Sequence, residues 1–518
     1  MSNIRSVAKS KRKKTSNVYR TPSLGYTIQQ GEDMLLIISN EPKRKVYKRK
    51  RLGEGRARCP AVKVKTKTLN AGIKYKVSAE DVGHKLSRHN SEDCYDRWGQ
   101  NLPVEILVNI FQLVVNQEGA IPFLCRVSRV CKLWNGAAAS PVLWCSVSVG
   151  YCWIEPGKTQ LPRTELKIQN TICWLAQNRF THLREFSLCH WKKHVDYVVQ
   201  VISQHCPRLS ALKLSYCSGI TEKGFQSLGS NCPALECIDM QFSELQVEAL
   251  VSFLDTHGTQ IRKILFTYGS KSDRLLSVIA GGCCPELKLL EINTKLDGGY
   301  CQLPICIQAL QRGCPKLQVF RMLNVTPMPK TSRKASCSTS GFPHLEELCM
   351  ASSSVSFITN QDLNTLLHGS PNLRVLDVRN CTRITSAVLS TLPCEKLECL
   401  YWGLYIGSHN MMSSRKGIHL LTRKWSNTLL ELDITSQAFS EEDLEIAMGN
   451  LADGGGADRL RSLNLSGTRI TSHALRSIIR QCSVLSYLNL SSCRYLPRGL
   501  KRVYRSWEEI QQLLDKLP

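Results

Sequence analysis

From residue 183 onward the pattern apolar-x-x-apolar-x-apolar recurs twelve times. Its first positions are Leu183, Leu209, Leu235, Ile261, Leu287, Leu317, Leu345, Leu373, Leu397, Leu429, Leu460 and Leu485, spaced 24 to 32 residues apart. A hexad of this kind predicts a short strand whose first, fourth and sixth side chains point inward. The segments between hexads predict returning helices. Val195, Val198, Val199 and Ile202 fall at i, i+3, i+4 and i+7, and Ala474, Leu475, Ile478 and Ile479 repeat that stripe near the end. Strand-plus-helix units at near-constant period stack into a solenoid, with the strands parallel along a concave face.

Cysteine sharpens this picture. The chain has 24 cysteines among 518 residues. Cys206, Cys232, Cys284 and Cys314 each precede a proline just ahead of a hexad, while Cys217, Cys381 and Cys493 follow one. A thiol there acts as a small hydrophobe that can donate to a local carbonyl. The close pairs Cys232/Cys237, Cys301/Cys306 and Cys394/Cys399 lack a second pair or a nearby histidine at zinc-finger spacing, so no metal and no cofactor is expected. The run Cys206 to Thr221 (CPRLSALKLSYCSGIT) resembles the cysteine-containing class of leucine-rich repeats. The expected fold is therefore an α/β solenoid of about twelve such repeats over residues 183–493. Residues 148–182 are expected as linker and N-terminal cap, and 494–518 as C-terminal cap. Asn324–Gly341, Tyr405–Lys424 and Asn450–Asp458 interrupt the period, the first carrying Arg333-Lys334-Ala335-Ser336, a weak match to a basophilic kinase site.

The third, fifth and seventh positions of each hexad point outward and preview a binding surface. Seven acidic residues stand there (Glu185, Asp239, Glu291, Glu347, Asp377, Glu431, Asp433) against four basic ones (Lys213, Lys263, Arg321, Arg379). The middle repeats add Leu265, Leu289, Val319, Leu323, Val375 and Tyr401. A protein segment that is apolar with basic neighbours is the expected ligand, held by Leu265, Leu289, Glu291, Val319, Arg321, Leu323, Glu347, Val375 and Asp377.

Residues 96–147 do not follow the repeat. Leu102-Pro103 opens a helix, with Glu105 near the positive end of its dipole. Ile106, Ile110, Phe111 and Leu113 are expected on one apolar face, a break at Asn116–Ala120 follows, and a second helix is expected to carry Leu124, Val127, Val130, Cys131 and Trp134. Such a small unit is marginal alone, and its apolar surplus asks for a partner. Three blocks in order (Leu102-Pro103-x-Glu105-Ile106-Leu107-x-x-Ile110-Phe111, Val130-Cys131-Lys132-x-Trp134, Pro141-x-Leu143-Trp144) resemble an F-box; the loop Asn116–Pro122 is longer than usual and lacks the common acidic-leucine pair. An F-box ahead of such repeats resembles the F-box/leucine-rich-repeat proteins. The resemblance implies a substrate-recognition subunit of a Skp–cullin–F-box (SCF) ubiquitin ligase. It implies docking on the Skp adaptor, and through it on cullin and RING subunits, by Leu102, Pro103, Ile106, Ile110, Phe111, Val130, Trp134 and Trp144 or their supporting core. No P-loop, nucleophile elbow or zinc-protease motif is present, so a non-catalytic receptor of an unidentified protein substrate is expected. A non-degradative F-box adaptor is a rival reading.

Charge changes the picture only at the N-terminus. The net charge is +26, yet residues 1–90 alone hold 23 lysines and arginines against 6 acidic residues. Two clusters, Lys11-Arg12-Lys13-Lys14 and Lys43-Arg44-Lys45 with Lys48-Arg49-Lys50-Arg51, suit nuclear import, and a protein shared between nucleus and cytoplasm is expected. Composition reads residues 1–95 as a disordered basic tail. A nuclear nucleic-acid scaffold using that tail is a further rival, with nucleic acid the weaker expectation. One apolar run, Met34 to Ile38, stands out within the tail and is expected either to dock back on the body or to recruit a partner. The start of the chain has no apolar stretch behind its charges, and no apolar run reaches membrane-spanning length, so an intracellular soluble protein with thiols in a reducing compartment is expected.

Overall fold

The computed structural model describes residues 17–19, 26–30, 35–39, 102–150, 162–269, 271–294, 302–329, 341–405 and 415–518. Both basic clusters and the Arg333–Ser336 motif lie outside the described residues, as does most of the basic tail.

Three sheets are present among the described residues. The first is an antiparallel three-stranded ribbon of β1 (Asn17–Tyr19), β2 (Tyr26–Gln30) and β3 (Leu35–Ser39). The apolar run in the tail thus forms a strand, paired residue for residue with β2 from Tyr26↔Ser39 to Gln30↔Leu35.

The main sheet has fourteen strands. It begins with β4 (Ser146–Val149), β5 (Glu185–Cys189), β6 (Ala211–Ser215), β7 (Cys237–Met240), β8 (Lys263–Thr267) and β9 (Leu289–Asn293). Between β9 and the next main strand, β10 (Gln302–Ile305) diverges to pair in parallel with β12 (Thr326–Pro329), a two-stranded side sheet that the hexad pattern did not predict. The main sheet resumes with β11 (Val319–Leu323), β13 (Glu347–Cys349), β14 (Val375–Asp377), β15 (Cys399–Tyr401), β16 (Glu431–Asp433), β17 (Ser462–Asn464) and β18 (Tyr487–Asn489). It ends in β19 (Val503–Tyr504), which pairs antiparallel with β18 and, with the helix Trp507–Leu514, covers the last repeat. The two other interruptions resolve into helix ends: Ile418–Lys424 closes one, and Glu441–Asp453 runs into the other.

Every predicted hexad produces a strand two residues after its first apolar position. The first, fourth and sixth side chains fill one continuous core, as Leu345, Leu348 and Met350 do with no exposure at all. Burial of each such side chain contributes roughly 1.5–3 kcal/mol. Cys206 and Cys314 sit in this core, where loss of hydration pushes their thiols up to about 12. Cys217 donates to Leu188 O at 3.2 Å and Cys493 to Leu465 O at 3.1 Å, bridging one turn to the previous repeat. Among the described residues no group of three or more His, Cys, Asp or Glu is placed to hold a metal ion, and no helix is long and apolar enough to cross a membrane.

Ahead of the repeats stand α1 (Val104–Glu118), α2 (Ala120–Val127) and α3 (Lys132–Ala138), followed after β4 by α4 (Pro162–Asn178). The single second helix expected through Trp134 is in fact two. Cys131 is extended, and its sulfur accepts the backbone N–H of Trp134 at 3.5 Å, so it caps a new helix rather than continuing an old one.

Candidate functional site

Two surfaces have the chemistry of interaction sites: the outer face of α1 and the outward side of the main sheet.

On α1, Leu107 and Phe111 are buried, Phe111 meeting Phe123 and Trp134 edge-on with ring centroids 5.6 and 5.4 Å apart. Ile106, Ile110 and Leu113 fall at i, i+4 and i+7 and are 45%, 39% and 65% exposed. One helix therefore carries two apolar stripes, one for its own core and one left facing water. Pro103 and Val130 are exposed, and Leu102 and Trp134 half-buried, so all four keep surface for a partner. Phe111 and Trp144 do not. Trp144 is buried, donates its indole N–H to Ala138 O at 2.8 Å and packs on Phe180. The sequence held the reason: Trp144-x-x-Val147-x-Val149 is itself a hexad, and β4 starts two residues after Trp144. The tryptophan is the first inward residue of an additional repeat, so its role is core rather than docking. Exposed apolar residues in a stripe mark an interaction surface, unlike scattered single ones.

On the main sheet, the outward positions fall into an open and a closed stretch. Glu185 and Lys263 are exposed, and Lys213, Asp239 and Leu265 half-buried. Leu289, Val319 and Val375 are also half-buried. Glu291, Arg321, Leu323, Glu347 and Asp377 are buried, which corrects their expected place on an open binding surface. The charges of Glu291, Arg321, Glu347 and Asp377 are used within the chain. Arg321 donates to Glu347 through Nε at 2.5 Å and Nη2 at 3.0 Å, and to Glu291 through Nη1 at 3.0 Å. Gln241 reaches across β8 to donate to Glu291 at 2.6 Å. Burial alone would push the Arg321 guanidinium down; the two carboxylates outweigh it and hold it above its ordinary value. Asp377 is paired with Arg379, whose guanidinium lies 4.8 Å from the ring centre of Tyr401. These carboxylates bind the protein's own arginines and do not offer a basic ligand free charge.

Farther along, Tyr405 extends over two strands, its hydroxyl donating to Asp433 and accepting from Asn464 Nδ2 at 3.1 Å. Burial raises the Asp433 carboxyl above its ordinary value, against the opposing pull of Arg379, Tyr405 and Thr435. An acid whose folded value is raised contributes most stability below its unfolded value, near 3.8, and that contribution is lost as pH rises through the folded value. Asp433→Asn is therefore expected to gain stability relative to the parent chain as pH is raised from 4 to 7, read by urea unfolding at both pH values. A constant difference would mean the carboxyl titrates normally.

The open stretch carries a feature that the hexads did not announce. His190, Tyr216 and Phe242 occupy equivalent positions after β5, β6 and β7, all with left-handed φ of 61°, 54° and 58°. Their rings stack with centroids 4.5 and 5.1 Å apart. The aromatic residues at a 26-residue spacing were the available signal.

Fold and exposed face together define a helical F-box-like module leading into a leucine-rich-repeat solenoid. A family model described as F-box-like matches residues 100–149. Among curated proteins, the chain is similar to Putative F-box/LRR-repeat protein 23 of Arabidopsis thaliana, 22% identical over 267 residues, covering 51% of this chain and 45% of that protein. It is also similar to F-box/LRR-repeat protein 4 of Bos taurus, 23% identical over 242 residues, covering 42% and 36%. F-box protein FBW2 of Arabidopsis thaliana is 24% identical over 235 residues, covering 39% and 69%. The chain thus spans less than half the length of the first two. A solved structure titled "Crystal structure of Rad7 and Elc1 complex in yeast" aligns over 77% of this chain and 90% of its own, at 15% identity and a TM-score of 0.41.

Proposed function

We propose that this chain is a substrate-recognition subunit of an SCF ubiquitin ligase, non-catalytic in itself. In this reading α1 docks on a Skp adaptor, which brings cullin and RING subunits, and the repeats hold a protein substrate. The observation that carries the reading is the water-facing stripe Ile106, Ile110 and Leu113 on a helix whose opposite face already fills the module's core. The names of the similar proteins agree with it. Within the family the chain resembles F-box and leucine-rich repeat protein 6, notably in the run Cys493 to Arg502 (CRYLPRGLKR). The substrate surface in this reading begins on the open strands β5–β8 and reaches Leu289, Val319 and Val375 at the margin of the closed stretch.

The test is affinity purification with the proteasome blocked, comparing the parent chain with Ile106→Asp/Ile110→Asp. Adaptor and cullin are expected with the parent chain only, and proteins held by the repeats with both, ubiquitylated only when the adaptor is present. Equal recovery of adaptor by the two chains would refute the assignment.

The tail is read as directing nuclear import, because clustered lysine and arginine suit an acidic carrier. Replacing Lys11–Lys14 and the basic residues of 43–51 by Gln is expected to shift a fluorescently tagged chain from nucleus to cytoplasm. An unchanged distribution would assign the clusters to another anionic partner.

A further inference from the structure

The closed stretch of the main sheet has an apolar cluster of its own, distinct from the solenoid core. Leu323, Cys349, Ala351, Cys399, Tyr401 and Tyr405 form it, with Val375 at its edge. The clustered strand residues stand at outward positions, on the side where a solenoid of one sheet and one helix layer normally meets water. Cys349 is 0% and Cys399 3% exposed there, whereas Lys263 and Glu185, in register with Cys399 on earlier strands, are exposed. Apolar surface of this kind is buried only if something covers it.

The strand β3 lies against β11. Both edges of β11 are already hydrogen-bonded, to β9 and to β13, so β3 cannot be joined to it as a further strand. The inner side of β11 is also filled, by Phe320 and Met322 in the main core. What remains is the outward face. β3 is, in addition, the apolar part of an otherwise polar and basic tail, LLIIS beside KRKVYKRKR.

We propose that the β2–β3 hairpin is the resident occupant of the outward face around β11, a built-in plug that an outside partner has to displace. The site it fills takes an extended, apolar, β-prone polypeptide, and a displacing partner has that chemistry. The inference is independent of the ligase reading, since it concerns only how the chain covers its own strands.

Native cysteines report on it. In the full-length chain, Ile37→Asp/Ile38→Asp puts two carboxylates into the apolar run of β3. Alkylation is then followed residue by residue by mass spectrometry. Cys349 and Cys399 are expected to react at least tenfold faster than in the parent chain, while Cys206 and Cys232 of the inner core stay protected. Unchanged rates at Cys349 and Cys399 would overturn the proposal. If all four thiols quicken, the solenoid itself has loosened, and the milder pair Ile37→Ser/Ile38→Ser is judged by the same criterion. A second measurement uses a labelled peptide of residues 26–39. It is expected to bind the Asp variant and restore protection of Cys349, and to bind the parent chain at least tenfold more weakly. Equal binding to both chains, or none to either, would overturn the assignment of this segment as the occupant.

Discussion

Replacing Pro103, Ile106 and Ile110 together, by Ala, Asp and Asp, is expected to weaken binding of a purified Skp adaptor by more than 100-fold without unfolding the chain. The two isoleucines stand 45% and 39% exposed on α1, so their loss removes no packing from the module's own core. Truncation at an interface hot spot costs about 2 kcal/mol or more, and each 1.4 kcal/mol is about tenfold in affinity. Burying a carboxylate in an apolar contact adds a further penalty. The companion variant Phe111→Ala separates docking from folding. Phe111 is 2% exposed and wedged between Phe123 and Trp134, so its truncation is expected to cost about 3–5 kcal/mol of stability and to loosen the whole module. Calorimetric titration measures the first effect, and urea unfolding with hydrogen exchange the second. Full adaptor affinity in the triple variant would mean that the exposed stripe serves another partner.

The second large effect is expected at Arg321. Its guanidinium stands between two carboxylates, Glu291 and Glu347, that are 1% and 8% exposed. Arg321→Met leaves both acids buried without their cation, and breaking a buried ion pair from one side costs about 3–5 kcal/mol. Because repeats unfold with their neighbours, the loss should appear first as faster hydrogen exchange in β9, β11 and β13. Changing Glu291 and Glu347 to Gln in the same chain is expected to recover most of it. A loss below about 1 kcal/mol for Arg321→Met would mean that water reaches the pair and screens it as at a surface.

The repeats were legible because each hexad is a local statement. Leu183 and Leu485, more than 300 residues apart, solve the same packing problem with the same three inward side chains, and each strand starts where its own hexad puts it. The side sheet was not legible: Gln302–Ile305 and Thr326–Pro329 meet across a whole repeat, and neither is a hexad. The exposed stripe of α1 was legible in part. Ile106 and Phe111 are both apolar and both helical, and only the position of Phe123 and Trp134 in space decides which one turns inward. On the outward strands, sequence located Glu291, Arg321 and Glu347 on one face but could not show that they neutralise one another, nor that a segment from the far N-terminus lies nearby. Contacts of that range leave no periodic trace.

The hexad at Trp144 carries a mechanical consequence. Through it the sheet starts inside the segment that matches the F-box-like model, and the main core runs unbroken from Leu107 of the module to Leu517 beyond the last repeat. Helical module and repeats are thus welded rather than hinged. Successive strands of a sheet are about 4.8 Å apart. The twelve steps from β4 to β18 therefore graduate the solenoid into a scale of roughly 58 Å along its arc. A segment gripped at β6 and one gripped at β16 would be held at different fixed heights above whatever binds α1. On the proposed function, the strand that captures a partner would thereby set which part of that partner comes within reach of the machinery beyond.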